Sequence, residues 1–209
     1  MILRLAAALA LVLGVVGLLL FLAIVGKAPW SPPELRHLRA MKDRRTAPER
    51  YLPLTVAGFA ALPAGLPLAA YAPLERRAVS FDGYVQRMVT APDGDLHFEL
   101  VAAPGASGTA DAAYVTAELT PQWGAGSDAW SLESLLVRLR VGRGGITARD
   151  EPPRRVRVSG WLLYDLQFDQ RWPRGAAGRE SRVSGWEIHP VTRIEIREAA
   201  DSAWREVPR

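Results

Sequence analysis

The chain has no cysteine. Disulfides, thiolate zinc sites and cysteine nucleophiles are therefore excluded. Lysine is almost as scarce: Lys27 and Lys42 are the only two, and residues 51–209 hold none. Arg143-Gly144-Gly145 is no phosphate loop, because the Lys-Ser/Thr pair and the strand-to-helix setting are missing. A G-x-S-x-G elbow is also absent. Ser159 and Ser184 each precede a glycine within Val-Ser-Gly-Trp, at 158–161 and 183–186. That repeat reads as strand geometry, with glycine allowing a bend and tryptophan packing on it.

One long apolar run is present. Leu5 to Gly26 is 22 residues without a charge. As a helix it reaches roughly 33 Å, enough for a hydrocarbon core of about 30 Å. A signal peptide has a shorter apolar stretch of about 7–15 residues and a small-x-small cleavage site. The best match here, Gly26-Lys27-Ala28, is followed by Pro29, a poor start for a mature chain. An uncleaved, single-pass anchor in a bacterial cell membrane is the expectation. Gly14 and Gly17 allow close helix contact, although their spacing is not G-x-x-x-G.

Two rules oppose each other on orientation. Only Arg4 precedes the run, whereas Lys27, Arg36, Arg39, Lys42, Arg44, Arg45 and Arg50 follow it, which favours a cytoplasmic domain. A large C-terminal domain translocates largely regardless of such charges. We place the domain in the periplasm, with the cytoplasm as the alternative. Residues 27–50 carry seven basic and three acidic side chains, against 18 arginines and 19 acids in 51–209. The basic excess is juxtamembrane and suits anionic headgroups, at roughly 1 kcal/mol per residue near the surface. The balanced remainder argues against a nucleic-acid footprint.

Pro29, Pro32 and Pro33 break the anchor helix, with Trp30 placed for the aromatic belt. Glu34 to Arg45 suits a short polar helix. Tyr51 to Pro73 is apolar but too broken by Pro53, Pro63, Pro67 and Pro73 to span a membrane. It is expected to be extended with a short helical turn, covered by its own domain or by a partner. Strands are expected at Ala78–Val89, with a bulge or bend at Gly83, at Leu96–Ala102, Tyr114–Leu119, Arg154–Phe168 and Val183–Arg197. Between the third and fourth, Trp130–Leu139 has helical spacing, capped by Asp128 or Ser131. Loops separate them at 104–111 and 140–153. Strand-strand-strand-helix-strand-strand is the plan of the OB-fold. The expected fold is mainly β: a five-stranded OB-like Greek-key barrel with one helix, behind a single transmembrane helix. The expected division is anchor 1–27, juxtamembrane basic and Pro-rich linker 28–77, OB-like domain 78–199 and tail 200–209.

Four segments carry a family likeness: Asp93 to Leu100 (DGDLHFEL), Val115 to Pro121 (VTAELTP), Val156 to Asp165 (VRVSGWLLYD) and Trp186 to Val191 (WEIHPV). Together, over about Ala78 to Arg197, the chain resembles a group of uncharacterised bacterial OB-fold-like domains with D-x-D-x-H and W-E-I-H-P-V strands. Members of that group are mostly exported. The resemblance also implies a histidine shortly after the aromatic-Asp pair, where this chain has Phe168 and Asp169.

The polar residues of interest are His97, Glu118, Asp165, Glu187 and His189. Two imidazoles with carboxylates can bind zinc or another divalent ion, so His97, Glu118, Glu187 and His189 are the candidate metal ligands. Opposing this, His189 before Pro190 can simply bond a backbone carbonyl, and Asp95 and His97 can form a local pair. That reading carries more weight; no metal, cofactor or catalytic residue is expected. Phe81, Tyr84, Phe98 and Trp123 suit stacking on bases but lack a basic groove, and Phe98 reads as core. The expected function is a membrane-anchored accessory or assembly subunit acting through protein contacts, its partners being lipid and other membrane-protein subunits, with nucleic acid disfavoured. The alternatives are a tethered nucleic-acid-binding OB-fold and a metal-dependent enzyme.

Overall fold

A computed structural model describes residues 2–24, 26–104, 113–141, 152–168, 182–198 and 202–209. These residues divide into two compact units, Met1–Asp43 and Arg44–Arg209. The first holds α1 (Ile2–Ile24) and α2 (Pro33–Lys42). Gly26 turns the chain between them at a positive φ of 72°, where an added Cβ would lie 2.6 Å from the Leu35 carbonyl oxygen. One helix, over Ala6–Ile24, is long and apolar enough to cross a membrane, and none of it is buried within the chain.

The second unit is a mixed sheet of seven strands: β1 (Leu52–Pro53), β2 (Ala78–Thr90), β3 (Leu96–Val101), β4 (Tyr114–Leu119), β5 (Val156–Tyr164), β6 (Arg182–Arg197) and β7 (Trp204–Glu206). Its helices are α3 (Val56–Ala60), α4 (Leu68–Glu75), α5 (Pro121–Gly124) and α6 (Leu132–Leu139), with a 3-10 turn at Asp128–Trp130. The expected element order β2-β3-β4-α6-β5-β6 is present. The expectation of one helix beside the anchor is corrected: six helices occur among the described residues, of which α1, α2 and α6 lie where helices were expected, while the Pro-broken stretch, expected to be extended with a short helical turn, folds into α3 and α4. Thr55 caps α3 by accepting a hydrogen bond from Gly58 N at 3.1 Å. Ser131, as expected, caps α6 through Ser134 N at 3.3 Å. The loops at 104–111 and 140–153, Arg143-Gly144-Gly145 included, lie largely outside the described residues.

The pairing path is β1-β2-β3-β4-β6-β5, and β2 also pairs with β5. The β4–β6 pair is parallel, while β2–β3, β3–β4, β5–β6 and β2–β5 are antiparallel. β2 serves two neighbours by changing partner at Gly83: residues 78–83 pair with β5 and 84–90 with β3. An added Cβ at Gly83 would overlap the Val101 carbonyl oxygen, so the crossing requires glycine. The register shift in β2 falls nearby, between Val85 and Arg87.

Phe81, Phe98, Leu100, Ala117, Leu135, Leu139, Val158, Leu162, Ile188 and Ile194 fill the centre. The stretch expected to be covered by its own domain or by a partner packs on its own sheet: Phe59 and Tyr71 are fully buried. Tyr71 stacks on Tyr164 with ring centroids 4.3 Å apart, and Trp186 meets both edge-on. Four tryptophans tie segments outside the central strands to this core. Their indole N–H groups donate to carbonyls: Trp123 to Arg44 at 2.8 Å, Trp161 to Thr46 at 3.0 Å, Trp186 to Pro63 at 2.8 Å and Trp130 to Val207 at 3.0 Å.

The last of these ties reaches the C-terminus. Val207 is buried, and its N–H donates to Ile194 O at 2.8 Å. Deleting residues 204–209 removes strand β7 with its pairing to β6, the Arg193–Glu206 ion pair, one buried valine, this bond and the Trp130 bond. The expected loss is about 3 kcal/mol, measurable as a lower urea midpoint of the full chain in detergent, with a red-shifted tryptophan emission as Trp130 meets water.

Candidate functional site

Alternation along three adjacent strands builds a polar cluster. Phe98, Ala117 and Ile188 point into the core, so His97, Glu118, Glu187 and His189 share the opposite face. Antiparallel register sets His97 opposite Glu118. Parallel register aligns Thr116 with Glu187 and Ala117 with Ile188, which brings Glu118 beside His189. The structure thus assembles all four candidates. Their face is nevertheless closed: His189 is 0% exposed, Glu187 3% and Glu118 6%, while His97 stays partly open.

His189 is the hub. Its Nδ1 lies 2.9 Å from Glu118 Oε2 and 2.9 Å from Glu187 Oε1. Its Nε2 faces Asp95 Oδ2 at 3.5 Å, an ion-pair distance too long for a good N–H···O bond, and makes no hydrogen bond. His97 Nε2 meets Glu118 Oε1 at 3.0 Å. Arg182 donates from Nη2 to Glu187 Oε2 at 2.9 Å and from Nη1 to Asp165 Oδ2 at 3.3 Å. Two expectations are corrected. The His189 ring bonds carboxylates rather than a backbone carbonyl, and Asp95 faces His189 rather than pairing with His97. Both differences arise because the strand register carries β6 against β4, a long-range fact that local spacing does not encode.

Burial and charge oppose each other in this cluster. Burial pushes the His189 imidazole down, but the Glu118 charge, Asp95 beyond Nε2 and the bonds to Glu118 and Glu187 outweigh it and hold it well above the ordinary histidine value. Burial pushes the Glu118 carboxyl up, and the His189 charge with the bonds from His189 and His97 reverses that to well below its usual value. Glu187 is raised by burial and by Glu118, against the pull of His189 and Arg182. His97 is raised: burial works against it, and the Glu118 bond and charge prevail.

Sequence reasoning missed Arg182 as a member and gave Asp95 the wrong partner. The alternation Asp95-x-His97 was a usable signal for the second; nothing local marks Arg182. Where the resemblance implies a histidine, Phe168 packs beneath the Arg182 guanidinium, 4.6 Å from ring centroid to Cζ, while Asp169 lies outside the described residues. Of the aromatics offered for base stacking, Phe81 and Trp123 are corrected, being buried; Phe98 is core, as expected, and Tyr84 is half-buried. A separate groove lined by Arg155, Arg157 and Arg193 holds its own acids. Arg155 pairs with Asp82 at 2.6 Å, Arg157 with Glu195 at 3.8 Å and Arg193 with Glu206 at 2.9 Å.

No family model and no curated protein matches the chain. Among solved structures, it is similar to the asparaginyl-tRNA synthetase of Entamoeba histolytica, at 14% identity over 70% of this chain and 24% of the synthetase, with a TM-score of 0.37. The same synthetase in complex with asparaginyl-adenylate gives 15% identity over 76% of this chain and 28% of that one, with a TM-score of 0.35. The chain spans about a quarter of the synthetase's length. TM-scores this low assign neither fold nor function.

Proposed function

We propose that this chain is a single-pass membrane protein whose second unit is an OB-like Greek-key barrel, and that it serves as an accessory or assembly subunit through protein contacts. The observation that carries the reading is the bare helix: Ala6–Ile24 is apolar throughout and none of its residues is buried. Such a surface is intolerable in water and suits lipid or other membrane helices. A Cβ added at Gly14 or Gly17 would meet nothing beyond its own helix within 4 Å, so that face is open to a close helix partner. The pairing path that returns from β5 to β2, the parallel β4–β6 pair and the helix α6 after β4 all favour the OB-like barrel.

The basic segment 27–50 lies at the headgroups, and the second unit sits on the periplasmic side. Nucleic acid is disfavoured, because Phe81, Phe98 and Trp123 are buried and the groove arginines Arg155, Arg157 and Arg193 are paired with acids.

The protein is expected to stay in the membrane pellet through high-salt and alkaline washes, and a variant lacking residues 1–27 to be released. Purification in mild detergent is expected to bring a stoichiometric companion. A soluble mature chain beginning near residue 28 would defeat the anchor, and a lone monomer in native membranes would defeat the subunit role.

A further inference from the structure

We propose that Asp95, Glu118 and His189 bind one divalent transition-metal ion, with Glu187 as the carboxylate that orients His189. Their ligand atoms, one from each residue, lie within 4.8 Å of one another, and all three residues are buried. The site is independent of the anchor and stands whether or not the helix meets a bilayer.

Four observations converge. First, His189 Nε2 is fully buried, makes no hydrogen bond and faces Asp95 Oδ2 at 3.5 Å. Two ligands about 2.0–2.1 Å from a tetrahedral ion stand about 3.4 Å apart. The gap is thus long for a hydrogen bond and right for two atoms sharing a cation. Second, the other ring nitrogen is already committed. A metal-binding histidine almost always donates its second N–H to a carboxylate, and Nδ1 has Glu187 Oε1 at 2.9 Å. Arg182 fixes that carboxylate from its far oxygen, at 2.9 Å. Third, Nδ1 carries a single hydrogen yet has two carboxylates at 2.9 Å. One hydrogen cannot satisfy both, so the pair of carboxylates calls for further positive charge, a proton or a cation. Fourth, among the described residues the cluster sets four carboxylates, Asp95, Glu118, Asp165 and Glu187, against one guanidinium and two imidazoles. A buried excess of negative charge needs either extra protons or a cation.

The donor set defines the ion's class. One imidazole nitrogen with carboxylate oxygens suits zinc and its neighbours, whereas calcium and magnesium prefer all-oxygen shells. Three protein ligands leave one position of a tetrahedral ion for water. His97 holds Glu118 from the partly open side, and is the side chain an entering ion would meet first.

The test uses the full chain in detergent, carrying an affinity tag without histidine. After chelator treatment, titration with Zn²⁺ is expected to restore one equivalent per chain and to raise the melting temperature with metal concentration. Co²⁺ is expected to give a visible absorption band from a nitrogen–oxygen site. Asp95→Asn, nearly isosteric, is expected to remove the binding while the chain stays folded. Glu187→Gln, which keeps an acceptor but loses the charge, is expected to weaken it by about 10–100-fold. The proposal is overturned if the wild-type chain takes up neither ion, if only Ca²⁺ or Mg²⁺ binds, or if Asp95→Asn binds as tightly as wild type. Should the variants fail to fold, the wild-type titration decides alone.

Discussion

Replacing Gly160 by valine is expected to abolish folding, and even Gly160→Ala to cost about 4–5 kcal/mol, the exceptional end for one substitution. Gly160 sits where β5 runs against the irregular stretch of β6, with register shifts on both sides of it. A Cβ there would overlap the Pro190 carbonyl oxygen, stand 3.0 Å from that carbonyl carbon and 2.8 Å from Ile188 Cγ2. Overpacking against side chains commonly costs about 1–3 kcal/mol, because rotamers yield. Here the obstacle is the backbone of the neighbouring strand, so relief requires the β5–β6 pair to part. Gly124→Ala is the control. Its Cβ would meet only Leu119 Cδ2, at 3.9 Å, and the site is helical with no positive φ. That change is expected to be neutral or to stabilise by up to about 1 kcal/mol. Urea unfolding of both variants checks the contrast. A Gly160→Ala chain within about 1 kcal/mol of wild type would mean that the two strands are not held this close.

The same glycine shows how much of the molecule was legible. The two Val-Ser-Gly-Trp repeats read as strand geometry, and that holds for Gly160, which lets β6 approach. The second repeat works differently: a Cβ at Gly185 would press on the Tyr164 ring at 2.8 Å, a side-chain contact. Strands with clear alternation were legible almost to the residue; Tyr114–Leu119 is one. Alternation also named the polar face, since His97, Glu118, Glu187 and His189 each oppose a core neighbour. What period-2 patterning cannot give is which strand lies beside which. The contact between Glu118 and His189 depends on a parallel pairing across 71 positions of sequence, and with it the reversal of the Asp95 and His189 assignments. Tyr51 to Pro73 was opaque for a different reason. Its prolines masked α3 and α4, whose order comes from burying Phe59 and Tyr71 rather than from helical periodicity.

Removing the one guanidinium of the cluster is expected to unfold the domain more than any other conservative change there. Arg182→Met keeps the stem's volume but leaves Glu187 and Asp165 without the cation that bonds both, at 2.9 and 3.3 Å. Breaking a buried pair from one side costs about 3–5 kcal/mol, because the remaining charge is left uncompensated. Arg182→Lys is expected to recover only part, since a point charge cannot fork between two carboxylates as guanidinium does. Glu187 supplies the pH dependence. Its carboxyl already lies above its usual value, through burial and Glu118, with Arg182 among the groups pulling it down. Without Arg182 it rises further. A carboxyl raised in the folded state contributes stability that is complete below its unfolded value and is lost as pH climbs through the folded one. The Arg182→Met deficit should therefore be small in acid and widen toward neutral pH. The double variant Arg182→Met/Glu187→Leu removes both charges and is expected to lose less than the sum of the two single changes, by about 1–3 kcal/mol. Urea titrations of the four chains, in chelator and at two pH values, measure this coupling directly. Strict additivity would show that Arg182 and Glu187 do not depend on each other for their place in the core.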